Sequence, residues 1–274
     1  MNAAPDPALV APLNAPRTQP AVAPREHGAL GQLGFPLATA LLLGRPSIPA
    51  ALLAVACVAV LFAHEPASVL LGARGAKART HASAASWRRL TVLGVLAAAL
   101  AWSALAAGST GVRLGALVPS ALGCLAVAMM LAGRERTGAG EFIGAATLAA
   151  ASLPVALAAH VAPRVAVSMA GAWAFASVAQ TAAVRGLIGR AKAGGSTGPA
   201  MRAAWGAAAG AALCALLAAR GVVPVAVAAA TIPPTLATVI AAVRPVPPRR
   251  LRAVGWTLMA VSACVFATLV AGLR

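Results

Sequence analysis

Acidic residues are nearly absent from this chain: Asp6, Glu26, Glu65, Glu135 and Glu141 are the whole supply in 274 residues, against 22 Lys and Arg. Each remaining carboxylate is therefore conspicuous. Cysteine is scarce too. Cys57, Cys124, Cys214 and Cys264 fall one each in separate apolar segments, with no C-x-x-C spacing. That excludes a disulfide framework and a zinc site, and leaves the four as packing residues. Aromatics make up only 4% of the chain. With no aromatic platform and no basic soluble domain, nucleic acid is excluded as a partner despite the net charge of +17.

What the chain has instead is apolar length. Hydrophobic residues account for 61% of it, and its mean hydropathy is +0.86. One crossing of a bilayer takes about 20 predominantly apolar residues. Apolar segments bounded by Pro, Gly or Arg fall at 29–44, 47–63, 88–107, 114–133, 141–160, 164–184, 201–219, 221–243 and 253–273. They predict an all-α, polytopic transmembrane helical bundle of about nine spans, or eight if the pair around Arg220 is one. Ala and Gly replace Leu and Ile through these spans, and small residues let membrane helices approach closely. Residues 1–23, with five scattered prolines and no core for a signal peptide, read as a disordered Pro/Ala-rich tail. Residues 24–274 form a single transmembrane domain.

The basic residues orient this bundle. With the N-terminus inside, 17 of the 22 Lys and Arg lie in inner segments, and only Arg45, Arg113, Arg164, Arg220 and Arg274 lie outside. The bias predicts a multi-pass protein of the cell inner membrane with its N-terminus cytoplasmic, in contact with anionic lipids. The four glutamates all fall at the cytoplasmic face.

Two short motifs concentrate the ionisable groups. Glu26-His27, after Arg25, opens span one, and His64-Glu65 closes span two. Counted from Pro46 in the turn between them, the two pairs are nearly equidistant, which in an antiparallel hairpin means equal depth. They are expected to face one layer within side-chain reach. Three readings stay open: ion pairs with Arg25 and Arg74 that secure the hairpin, a binding or proton-handling site, and a His₂Glu₂ metal site. Gln32 follows among Gly28, Gly31 and Gly34, as a buried donor that needs a partner. The broken-helix signals are Pro154, Pro224, Pro233 and Pro234. His160 and Gln180 are placed at a span end or in a helix contact.

Two basic stretches, ASVLLGARGAKARTHASAASWRR after span two and VRGLIGRAKAGGSTGPAMRAAW after span six, share an A-K-A core and a following Trp. They hint at a duplicated four-helix unit. Nine spans with long loops in these places resemble the ground plan of UbiA-type intramembrane prenyltransferases. That family carries Asp-rich magnesium motifs in those loops, and neither stretch here contains an Asp; Glu65 alone cannot supply a two-ion cage. A closer resemblance is to the YwiC-like family of bacterial membrane proteins. It rests on P-R-E-H-G-A at the start of span one, LFAHEP before a basic loop, RERTGAGEFIGAATLAAASLP at span five, the V-R pair closing span six, and RPVPPRRLRAVGW before the last helix. Leu30 stands where that family often has Trp, and His64 where it often has Arg.

The functional expectation is a cytoplasm-facing intramembrane pocket for an anionic lipid or isoprenoid-type ligand. In it Glu26, His27 and Glu65 do acid–base or orienting work. Arg25, Gln32, His64, Arg74, Arg134, Glu141, Gln180 and Arg185 complete the ligand-binding set, the arginines by their planar fork. No metal and no particular cofactor is assigned. The alternatives are a small proton-coupled transporter and a non-enzymatic membrane scaffold.

Overall fold

The computed structural model describes residues 27–72, 76–192, 197–244 and 251–274, with His27, 76–79, 81–82, 191–192 and 251–252 given by backbone alone. The proposed tail, Arg25, Glu26 and Arg74 lie outside these residues. The described chain is all-α. Its helices are α1 (His27–Leu43), α2 (Ile48–Leu70), α3 (Ala76–Ala107), α4 (Thr110–Leu131), α5 (Gly138–Ala150), α6 (Ser152–Ala158), α7 (Pro163–Lys192), α8 (Gly198–Ala219), α9 (Val225–Val243) and α10 (Leu251–Leu273).

Helices α5 and α6 are two parts of one rod, Gly138–Ala158. The regular helix is interrupted at Ala151, just before Pro154, which has no N–H to offer the carbonyl one turn back. Counting them together gives nine rods among the described residues, matching the nine segments expected. Eight are long and apolar enough to cross a membrane; α1 is the shorter one.

Three predicted boundaries move. Helix α2 runs on to Leu70 rather than stopping near 63, so His64 and Glu65 lie inside the helix. Helix α3 begins at Ala76 rather than near 88, and α7 runs on to Lys192 rather than stopping near 184. The basic stretches expected as long loops are therefore largely helical extensions. Hydropathy reports where a helix crosses hydrocarbon, whereas Ala, Arg and Lys continue the helix because they favour it intrinsically.

The rods alternate between two ends of the bundle, named here the His27 face and the Leu43 face. Contacts between their ends agree: Arg274 Nη2 donates to Leu42 O at 3.2 Å, and Arg190 Nη1 to Ala242 O at 3.1 Å. The rod α5–α6 and helix α7 form the centre. Their spans are each 56% buried, against 11% for α3 and 6% for α4. The core is built from small residues: Ala40, Ala50, Ala104, Ala149, Ala156, Ala159, Ala166, Ala176 and Ala230 are fully enclosed or nearly so. Without hydrophobic driving force between helices in lipid, this close approach supplies the dispersion contacts that hold the bundle.

The expected α1–α2 hairpin is not the one that forms. Helix α2 packs along α3, while α1 packs on α10, α6, α5 and α7 and meets α2 only sparsely. The reason lies in the turn at 44–47. Arg45 N–H donates to Ala159 O at 2.7 Å and Ser47 Oγ to Ala158 O at 2.7 Å, so the turn satisfies the last carbonyls of α6. Gly44 is required there, because an added Cβ would collide with the Ala159 carbonyl and methyl. With α6 packed against both α1 and α2, these two helices are held apart.

Arginines at the Leu43 face serve helix ends in the same way. Arg113 donates to Leu105 O and Ala106 O at the end of α3, at 3.0 and 3.3 Å. Arg164 donates to Val222 O, at 2.9 Å from Nη2, and to Gly221 O, in the turn after α8. Together with Arg274 at the end of α1, they neutralise the negative ends of three helices.

Four tryptophans mark the bundle's two rims. Trp87, Trp205 and Trp256 lie toward the His27 face and Trp102 toward the Leu43 face, all 61–77% exposed, whereas Trp173 is 1% exposed. On α3, Trp87 and Trp102 are separated by about 22 Å of helical rise. Amphipathic indoles in two such planes are what the headgroup layers of a bilayer select.

Candidate functional site

The acids among the described residues all lie toward the His27 face, with one pair in direct contact across the two central helices. Arg185 Nη1 on α7 stands 2.8 Å from Glu141 Oε2 on α5, the side chains 35% and 38% exposed. The same nitrogen donates to Arg136 O at 3.3 Å. Local sequence sets up this geometry. Thr137 caps α5, its Oγ1 accepting from Gly140 N–H at 3.3 Å while donating to Arg134 O at 2.7 Å. Glu141 then falls in the first turn of α5, where the helix dipole favours an anion. Beside it, Glu135 Oε1 lies 3.7 Å from Arg136 Nε, and its buried Oε2 has no hydrogen-bond partner among the described residues.

One turn deeper, two polar contacts join helices. Gln32 Nε2 on α1 donates to Thr181 Oγ1 on α7 at 3.3 Å. Gln180 Nε2 donates to Ser262 Oγ on α10 at 3.1 Å, and both side chains are buried. Gln32 thus finds the partner its position demanded, and Gln180 is in a helix contact, as expected. His160 ends α6 in the left-handed region with φ of 63° and is exposed, also at a span end as expected.

The Gln32–Thr181 bond sets a register for α1. Arg185 lies one turn beyond Thr181, about 6 Å toward the His27 face, and His27 lies about 7.5 Å from Gln32 in the same direction. The backbone of His27 is therefore level with the Arg185–Glu141 pair, on a helix that packs against α5 and α7. His64 is exposed and Glu65 half-buried on α2, the helix that α6 holds away from α1. Arg134 is exposed in the α4–α5 turn. The structure thus brings together Glu141 and Arg185, with α1's first turn at their depth, and places Gln32 and Gln180 in a layer beneath them. Arg25, Glu26 and Arg74 lie outside the described residues. Among those residues, no three His, Cys, Asp or Glu side chains gather as a metal site would require.

The sequence reading missed a buried cluster nearer mid-bundle. Trp173 Nε1 donates to Thr39 Oγ1 at 3.1 Å, and Thr39 Oγ1 donates in turn to Phe35 O at 2.8 Å. Phe35 stacks on Trp173 with centroids 6.2 Å apart, and Phe266 meets Phe35 at 6.0 Å. A signal was available: Trp173 is the one Trp that does not fall near a predicted span end.

A bundle of apolar rods, rimmed by tryptophans and with its acids gathered toward one end, defines a multi-pass helical membrane protein. Within that class, residues 23–156 match the model of the family described as YwiC-like protein, and over this stretch the chain is similar to that family. The matched stretch runs from the P-R-E-H-G-A motif to α6 and so includes Glu141 but not Arg185. No curated protein and no solved structure matches the chain.

Proposed function

We propose that this protein holds an anionic lipid or isoprenoid-type ligand in an intramembrane site at the His27 face, and that this face is cytoplasmic in the cell inner membrane. The observation that carries the reading is the Arg185–Glu141 contact, 2.8 Å long, between the two most buried rods and level with the start of α1. Arginine's fork binds phosphate or carboxylate in a bidentate manner, and Glu141 holds that fork oriented in the absence of ligand. Arg134, exposed in the α4–α5 turn, adds positive charge at the same face. Glu26, His27 and Glu65 supply the groups for orienting a ligand or moving a proton.

A proton-coupled transporter has less support. The interruption at Ala151 is packed shut, with Ser152 buried and donating to Ala149 O at 2.7 Å. Among the described residues, cysteines are the only ionisable groups at mid-span.

The experiment is to purify the protein in mild detergent and identify retained lipids by native mass spectrometry, for the natural chain and for Arg185→Ala. Retention of one anionic lipid class, lost in the variant, is expected. An identical lipid profile in both would refute the reading.

A further inference from the structure

We propose that the gap between α2 and α5 is a lateral cleft that takes the hydrocarbon chain of one phosphate-bearing lipid, which enters sideways from the bilayer. This rests on the reading above and names the ligand's route and class.

Helix α2 packs on α3 and α6 and barely on α1, whereas α5 packs on α7, α4 and α1. Among the described residues, then, α2 and α5 meet sparsely at most, although α6, the continuation of α5, packs against α2. The α5–α6 rod therefore lies against α2 along α6 and away from it over the half of the bundle nearer the His27 face. Helix α6 closes the gap toward the Leu43 face. At the other end, Ser68 Oγ on α2 approaches Met130 Sδ on α4 at 3.9 Å.

Two glycines record the open space. An added Cβ at exposed Gly34 on α1 or at half-buried Gly144 on α5 would meet nothing within 4 Å, although α1 and α5 pack together. Both lie about 10 Å inward from the start of their helices. Leu30, 41% exposed, shares the Gly34 face of α1. Between Glu141 and Thr147, α5 offers only Phe142, Ile143, Gly144, Ala145 and Ala146. A wall so apolar suits a hydrocarbon chain and not a column of water. Charge at the mouth selects the headgroup: among the described residues, Arg185 has its Nε and Nη2 uncommitted and Arg134 forms no ion pair.

The test uses the full chain in phosphatidylcholine vesicles doped with phosphatidic acid that carries a diazirine at mid-chain. Irradiation is expected to place adducts around Gly34 and Gly144, and Gly144→Trp, which fills the space, to reduce them about tenfold. Gly34→Phe serves as a second plug, and unfolding temperatures near that of the natural chain verify both folds. Adducts confined to α3, α4 and α8, or unchanged in both plugged variants, would overturn the cleft. So would adducts displaced by inorganic phosphate yet insensitive to either plug, since the site would then take a soluble anion. Arg185→Ala separates the two proposals. Adducts that survive Arg185→Ala but vanish in Gly144→Trp would leave the cleft standing without the Arg185 headgroup site, and the reverse pattern would leave that site without the cleft.

Discussion

The indole N–H of Trp173 donates to Thr39 Oγ1 at 3.1 Å, and both residues are fully buried, on α7 and α1 respectively. The hydroxyl in turn donates a hydrogen bond to Phe35 O at 2.8 Å, so one threonine serves two helices. Thr39→Val keeps the shape but leaves the indole without an acceptor, a loss of about 1–3 kcal/mol for a buried donor. Unfolding in detergent should show that loss, and Thr39→Ser should restore most of it. A Thr39→Val protein as stable as the natural chain would mean that the bond contributes nothing.

Gly44 stands against Ala159, with no room for a side-chain carbon. Gly44→Ala should push the 44–47 turn off the end of α6 and unmake the Arg45 and Ser47 bonds to its carbonyls. Overpacking of this kind costs about 1–3 kcal/mol. Because α1 and α2 are both affected, protease sensitivity near residue 45 should rise along with the loss of thermal stability.

Gln180 and Ser262 tie α7 to α10 inside the bundle, at 3.1 Å. A double-mutant cycle with Gln180→Ala and Ser262→Ala should give a coupling of about 0.6 kcal/mol, the average for such bonds between membrane helices, and no more than about 1.7 kcal/mol. Strict additivity of the two single variants would remove the bond from the account of stability.

The Arg185–Glu141 pair should behave differently. Both side chains are more than a third exposed, so solvent screening leaves the pair worth less than about 1 kcal/mol. Glu141→Gln should therefore leave the unfolding temperature almost unchanged while altering which lipids co-purify. A large drop in stability, with the lipid content unaltered, would make the pair a structural clamp.

Orientation can be read by labelling single cysteines with a membrane-impermeant thiol reagent after the four native ones are replaced. A cysteine at Arg136 is expected to react only in inverted vesicles, and one at Arg220 only from outside intact cells. The opposite pattern would place the His27 face outside.

Much of the fold was legible in the chain because hydrocarbon solvent imposes a simple rule. A crossing segment must be apolar for about 20 residues and must satisfy its own backbone, which only a helix can do. The nine segments therefore emerged at nearly their true positions. The exposed Trp residues followed the span ends for the same reason. The helical extensions of α3 and α7 escaped because hydropathy measures crossing and not helicity.

The site was legible only in part. Glu141 and Arg185 were each picked out as ionisable groups at the ends of apolar runs, but nothing in their spacing of 44 residues announced that they meet. Counting from the turn addresses depth and not neighbourhood, because depth along a helix is a local property with about 1.5 Å per residue, whereas α1 and α2 meet only sparsely. Which rods lie side by side depends on where small residues allow close approach and on which loop donors reach which carbonyls. In this chain Gly44, Arg45 and Ser47 capture the end of α6, and that contact separates α1 from α2 and brings α1 to α5 and α7. Composition and patterning thus established the solvent, the rods and the charged face, while lateral neighbourhood, and with it the membership of the site, emerged only when the rods packed.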